Sequence, residues 1–335
     1  MSARKILSFL LPFIGLAIFV FIIKTVGWDN IAGTFKAADW KRSFLLPVFI
    51  LFIIVIRGYR WQYLMRMVDI EYPIGRSMVV WTIGFFAAAV TPGKIGDALR
   101  AFYVSRDTGR SFVESFITVF IDRLLDLLVV LLFAATAIPL LLFASDRWFN
   151  RPIEIPSMWI LAVSIAVIFM LVYAMLRRDI MKKILKPIFN LLFPKKYKEQ
   201  MSVNFNSFYD LLTIYGRMWR STGYAFILTL IYWCGVFGLA CYTAYIMRTQ
   251  VPLDYLFVIM PLVTLVELLP VSISGIGTRD ALIIFFFMQI YPEAARAGAQ
   301  AQAVGFSIAY LLIGTYMTSV IGFVLWLKHP AKLGK

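Results

Sequence analysis

Thr91-Pro92-Gly93-Lys94-Ile95-Gly96-Asp97-Ala98-Leu99 interrupts one hydrophobic segment, and Pro270-Val271-Ser272-Ile273-Ser274-Gly275-Ile276-Gly277-Thr278-Arg279-Asp280-Ala281-Leu282 interrupts another. The two phrases align. Ile95-Gly96 falls on Ile276-Gly277, and Asp97-Ala98-Leu99 on Asp280-Ala281-Leu282, when Thr278-Arg279 is read as an insertion; Phe102 and Phe285 then follow at the same offset. Proline and glycine end helices, and in lipid unpaired backbone is tolerated only where it is buried in protein or lines a wet cavity. Broken apolar segments at corresponding places in two halves of a chain point to a transporter's binding site. The plainer reading is chance similarity in a biased composition, with ordinary loop glycines.

The rest of the chain sets the solvent in which those breaks sit. Hydrophobic residues make up 61% of the sequence, against about 45–50% in a soluble domain, so this is a membrane protein. Lys+Arg 33 against Asp+Glu 18 gives a net charge of +15. The basic residues flank hydrophobic runs, so anionic lipid headgroups and the positive-inside bias account for them and nucleic acid is not expected. Cys234 and Cys241 lie seven residues apart in one apolar run, which argues against a disulfide framework, and the single His329 excludes a histidine metal cluster. No cofactor is expected. Met1–Lys5 followed by apolar 6–23 lacks a small-residue cleavage site and reads as an uncleaved first span.

Apolar runs at 6–23, 43–56, 112–144, 158–176, 222–247 and 300–327 can each supply the roughly 17–25 residues of a crossing helix, with help from tilt and flanking residues. The short 43–56 run continues as Arg57-Gly58-Tyr59-Arg60-Trp61, and Arg57, Arg60 and Arg66 read as snorkelling anchors at the interface. The broken segments, 77–104 and 254–290, have arms shorter than a span and read as re-entrant hairpins. The 177–220 loop, with ten basic residues against three acidic ones, is expected in the cytoplasm with both termini. Its spaced leucines, isoleucines and phenylalanines suggest surface amphipathic helices. Counting crossings then gives span, span, hairpin, span in each half, in opposite orientations: a single integral domain over 1–335 built from repeats at 1–145 and 155–328. The expected fold is thus an all-α polytopic membrane protein with about six transmembrane helices and two re-entrant helical hairpins in an inverted repeat. In the alternative, 254–271 and 278–290 each cross fully.

Several residues could carry chemistry. Glu114, Thr118, Asp122 and Asp126 recur every four residues along 112–144 and form one polar stripe, with Arg123 beside it and able to pair with Asp126. Charge within the bilayer is expensive and usually faces a bundle interior or a wet cavity. The stripe therefore reads either as a headgroup or proton-relay surface or as a structural ion pair, with Glu114 interfacial. Glu267, three residues before Pro270, is a proton-acceptor candidate or a partner for Arg123 or Arg279, or else a carboxylate that caps nearby backbone. At the breaks, Gly93, Gly96, Gly275 and Gly277 would let the backbone approach a ligand and expose N–H groups. Ser272, Ser274 and Thr278 add hydroxyls, and Lys94, Arg100 and Arg279 add positive charge. Together these parts suit an anionic phospholipid headgroup. Tyr310, Gly314, Thr318 and Gly322 read as a close-packing stripe.

Thr91–Arg100, the Ser111–Arg123 segment ending Ile121-Asp122-Arg123, and Leu269–Asp280 together resemble the transmembrane, flippase-like region of the lysylphosphatidylglycerol synthases, over roughly residues 5–328. The resemblance implies an integral inner-membrane protein that moves lipids or lipid-linked groups between leaflets. The matching positions are Pro92, Gly93, Gly96, Asp97, Arg100, Asp122, Arg123, Pro270, Ser272, Gly275, Gly277, Arg279 and Asp280. Aspartate stands at 97 and 280 where the family more usually has glutamate, which puts headgroup choice in doubt. The chain lacks the soluble aminoacyl-transfer domain of the full synthases and is not expected to make lysyl-lipid. A lipid flippase is the leading expectation, with membrane lipids as its partners. An integral-membrane transferase acting on a lipid or polyprenyl-phosphate, and an accessory subunit of a lipid-modifying enzyme, are the alternatives.

Overall fold

The structure is a computed structural model and describes residues 16–143, 148, 170, 213–268, 274–291 and 296–330. Every regular element among these residues is helical. Helix α1 (Leu16–Val26) turns through 82° at Gly27 into α2 (Trp28–Ala37). A 3₁₀ turn, Trp40–Leu45, leads into α3 (Leu46–Arg66), with Pro47 in its first turn, where proline removes no needed hydrogen bond. Then come α4 (Ile74–Val90), a 3₁₀ turn over Pro92–Asp97, α5 (Ala98–Thr108) and α6 (Phe112–Phe143). The described chain resumes with α7 (Trp219–Ile246), α8 (Leu253–Leu268) and α9 (Thr278–Ile290). Last is a helix of three stretches: α10 (Arg296–Tyr310), a π-helical turn over Leu311–Met317, and α11 (Thr318–Lys328).

Four helices are long and apolar enough to cross a membrane, Trp40–Arg66, Phe112–Phe143, Trp219–Ile246 and Gly298–Lys328, and the bent pair α1–α2 makes a fifth if it is one span. The polytopic, all-helical reading holds. All of the expected 158–176 span but Met170, and most of the 177–220 loop, lie outside the described residues.

Hydrogen bonds between elements sort their ends onto two faces. On one, Arg76 and Tyr72 bond to Asp107, Tyr103 donates to the carbonyl of His329, and Tyr215 donates to that of Leu64. The start of α4, the ends of α3 and α5, and the chain's C-terminal helix therefore meet there. On the other face, Asp39 bonds to Arg248, Trp148 to Asp254, and Tyr255 to the Phe286 carbonyl. The start of α3, the end of α7, the start of α8 and the later turns of α9 meet there. The α4–α5 pair thus opens toward the first face and the α8–α9 pair toward the second. The arms of these pairs have 17, 11, 16 and 13 residues, about 17–25 Å each. None equals a 30 Å hydrocarbon core.

Arg57 and Arg60 correct one expectation. Helix α3 does not stop at the interface; it stays helical to Arg66 and turns both side chains inward, where they are 2% and 0% exposed. Arg66 alone of the three is exposed. The small residues of the last helix also divide. At Gly322 a Cβ would run into the Thr82 carbonyl of α4, so α11 needs glycine to lie against it. At Gly314 a Cβ would meet only side chains at ordinary contact distance, and this residue faces a cavity.

Candidate functional site

The two breaks touch. Ser274 Oγ donates to the Ala89 carbonyl at 2.8 Å, and Lys94 Nζ lies 3.4 Å from Glu267 Oε1. Between them lies a cavity of about 430 Å³, within the roughly 300–1,000 Å³ of small-molecule sites. Lys94 and Asp97 reach it from the first break, Arg57 from α3, Arg123 and Asp126 from α6, and Glu267 from α8. Tyr232 and Trp233 of α7, together with Phe85, Phe116 and Phe120, give it aromatic walls. Tyr310, Gly314 and Thr315 bring the π-helical stretch to the cavity. Such turns often occur at functional sites, because they break the regular helical ladder.

Behind the wall is a buried ion network. Arg60 donates from Nε to Asp122 at 2.9 Å, from Nη1 to Asp126 at 2.9 Å and to Thr229 at 2.7 Å, and from Nη2 to the Asp122 carbonyl at 3.1 Å. Arg57 bonds to Asp126 at 2.6 Å, with its guanidinium carbon 3.9 Å from the Tyr232 ring centre. Arg100 bonds to Asp122 at 3.0 Å and lies over the Trp61 ring at 4.9 Å; Arg123 pairs with Asp97. Each buried ion costs several kcal/mol to desolvate. Shared carboxylates and fork-shaped guanidinium contacts offset that cost here. Local sequence makes the room: a Cβ at Gly84 would collide with the stem of Arg100. The period of α6 puts Thr118, Asp122 and Asp126 on one face, where Thr118 accepts a bond from Trp61. Glu114 sits apart and closes a capping box with Ser111.

The charges do not balance. Taking each group in its usual state, Lys94, Arg57, Arg60, Arg100 and Arg123 face Asp97, Asp122, Asp126 and Glu267, which leaves one positive charge among the described residues around the cavity.

The breaks themselves behave differently from expectation. Three of their amides among the described residues are already bonded within the chain. The Gly96 N–H donates to Thr91 Oγ1, the Lys94 N–H to the Thr91 carbonyl, and the Gly277 N–H to Asp280 Oδ2. These three N–H groups are therefore not free for a ligand, and the charged lining of the cavity comes from side chains. Gly96 is a packing glycine: a Cβ there would run into the backbone of Ala87 and Ala88. Gly275 and Gly277 have φ of +75° and +84°, where side chains are strained. Pro92 and Gly93 form the start of the 3₁₀ turn. Pro270 and Ser272 lie outside the described residues.

Of the other expected site residues, Asp122 and Arg100 stand behind the cavity wall, fully buried. Arg279 and Asp280 form a second cluster, in which Arg279 bonds to Asp280 at 2.8 Å and Asp280 accepts from Ser307 of α10. Thr278 caps locally to the Gly275 carbonyl at 3.3 Å. Glu267 pairs with Lys94 rather than with Arg123 or Arg279. Sequence reasoning missed Arg57, Tyr232, Trp233 and Thr315 as cavity residues. For Arg57 and Arg60 a signal existed: their i, i+3 spacing matches the i, i+4 spacing of Asp122 and Asp126 on a second apolar helix. For the aromatics of α7 there was none.

A comparison with curated proteins finds no match to this chain. A family model described as the lysylphosphatidylglycerol synthase TM region matches residues 7–322, and the chain belongs to that family.

Proposed function

We propose that the protein carries a lipid with an anionic headgroup between the leaflets of the inner membrane, with its termini in the cytoplasm. The reading takes the α4–α5 and α8–α9 pairs as re-entrant hairpins of an inverted repeat, and the cavity between their tips as the headgroup site. One observation carries it: a cavity at the meeting point of two broken helices, with charged and aromatic walls and one excess positive charge around it. That charge selects an anion, and Arg57 and Arg123 supply donors in the fork geometry that fits phosphate. The site holds a headgroup while the acyl chains stay in lipid. Movement of one hairpin against the other then exposes it to each face in turn. In this reading the chain carries its ligand and does not transform it, which separates it from a membrane transferase.

The test is reconstitution. Vesicles containing the protein and a phosphatidylglycerol labelled on its acyl chain should lose their bleach-protected inner-leaflet signal faster than protein-free vesicles. Arg123→Gln should slow that loss at least about tenfold, since one charge-assisted contact is worth ~1.5–3 kcal/mol. Equal rates in vesicles with and without protein would remove the transport reading.

A further inference from the structure

Lys94 holds a conformation that costs stability. Its φ is +56°, in the left-handed region, where a Cβ crowds the backbone. In the aligned phrase the same position is Gly275, at φ +75°. Glycine would serve the turn better at 94, so the position is held for its side chain.

The pair that side chain makes is unlike its neighbours. Arg57, Arg123, Asp97 and Asp126 each contact two or more opposite charges. Lys94 and Glu267 each make a single salt bridge among the described residues, with each other at 3.4 Å, and their side chains remain 33% and 19% exposed; the Arg279 charge acts on Glu267 only through space. Glu267 is aimed by the second break, where a Cβ on Gly275 would lie 2.7 Å from Glu267 Cγ. A carboxylate is thus held against a lone ammonium in the wall of a cavity that has an excess of positive charge.

We propose that Glu267 competes with the ligand: a phosphate-bearing anion binds Lys94 by displacing the Glu267 carboxylate, which breaks the one ion pair that joins the first break to α8 among the described residues. The inference deepens the transport reading and rests on it. An ammonium is a compact point charge that accepts a carboxylate or a phosphate oxygen in the same place. Exchange at Lys94 therefore couples ligand binding to release of the α4–α5 tip from α8.

The experiment titrates the full chain in detergent with short-chain phosphatidylglycerol and, separately, with inorganic phosphate. Glu267→Gln should tighten phosphatidylglycerol binding about three- to fivefold, the range set by a partly exposed ion pair. Lys94→Gln should weaken it by a similar factor. In the double variant the Glu267→Gln gain should vanish, because no ammonium is left to compete for. A gain that persists there would mean a general field effect and overturns the proposal, as does an unchanged or weakened affinity in Glu267→Gln. A wild-type chain that binds neither probe would sink the transport reading itself. A phosphate titration that reproduces these shifts identifies the phosphate group as what is recognised; shifts confined to phosphatidylglycerol show that the lipid carries it. Both support the exchange. Thermal unfolding of each variant, expected within about 2 °C of wild type, separates loss of binding from loss of fold.

Discussion

At the first break, Asp97 and Arg100 join a network that takes in Arg57, Arg60, Asp122, Arg123 and Asp126 across three helices. At the second, Arg279 and Asp280 bond to each other and to Ser307, and beyond those hydrogen bonds Arg279 meets only the through-space charge of Glu267 and the Tyr310 side chain among the described residues. The described backbones agree at one aligned pair, Lys94 and Gly275, both in the left-handed region, and differ at another, where Gly277 is left-handed and Gly96 is not; in each break one glycine amide bonds to a side chain of the same break. A repeated phrase thus interrupts a helix twice, while the helices packed behind it decide where the charge goes. The first break has α3 and α6 behind it, with two arginines facing two aspartates. The second has α10, which offers a serine. The charged residues lining the cavity lie almost wholly in the first half, and the second half contributes Glu267 as its only charge among the described residues.

The largest effect expected from this asymmetry is on stability. Arg60→Leu would leave Asp122 and Asp126 buried without their shared guanidinium and should cost about 3–5 kcal/mol, the usual loss when one partner of a buried ion pair is removed. Ser307→Ala removes one hydrogen bond to a charged group and should cost about 1.5–3 kcal/mol. Thermal unfolding in detergent compares them. Equal losses would mean that both clusters hold the fold alike, and the contrast between the halves would fail.

A middle-sized effect separates the glycines. Gly96→Val forces a side chain into the α4 backbone and should lower stability by about 1–3 kcal/mol. Gly314→Ala has room for its Cβ, 3.7 Å from Tyr310, and adds helix propensity. It should leave Tm unchanged or raised while slowing lipid transfer, since the methyl group projects toward the cavity. A Gly314→Ala protein with lowered Tm and normal transfer would return that residue to a packing role.

These outcomes also mark what the sequence could tell. Composition and the Pro-Gly interruptions were enough for a polytopic helical fold with two broken segments, because lipid admits so few backbone solutions. The polar stripe on α6 was legible from its period alone. Which of its members face a ligand was not, because that depends on the helices opposite. Asp122 meets Arg60 and turns away from the cavity, while Asp126 and Arg123, on the same helix, border it. Arg57 and Arg60 were misplaced because a basic residue after a short apolar run reads equally as an interface anchor or as the partner of a buried carboxylate. Only the helix carrying that carboxylate decides between them. The glycines were read as gaps for a ligand; at Gly96 the gap is already filled by the chain's own backbone.

The smallest expected effect puts the same guanidinium–carboxylate chemistry in water. Asp39, at the end of α2, bonds to Arg248 at 2.9 Å across the face where α3 begins and α7 ends. The Arg248 hydrogen bond, with the charges of Arg42 and Arg248 adding to it, holds the Asp39 carboxyl below its usual range. A lowered carboxylate pKa contributes stability above the unfolded value of about 3.9 and loses it as pH falls through the folded value. Arg248→Met should therefore lower Tm slightly at pH 7, and the gap to wild type should narrow as pH falls below the unfolded value of about 3.9. At about 1 M salt the gap should shrink as well, since the screening length there falls to ~3 Å and the Arg248 side chain is 60% exposed. Arg60→Leu should keep its deficit in salt at pH 7, because its partners are sealed from solvent. If the two deficits respond to salt alike, the inner network is wetter than its burial implies, and the distinction between a buried scaffold of charge and a solvated strap is lost.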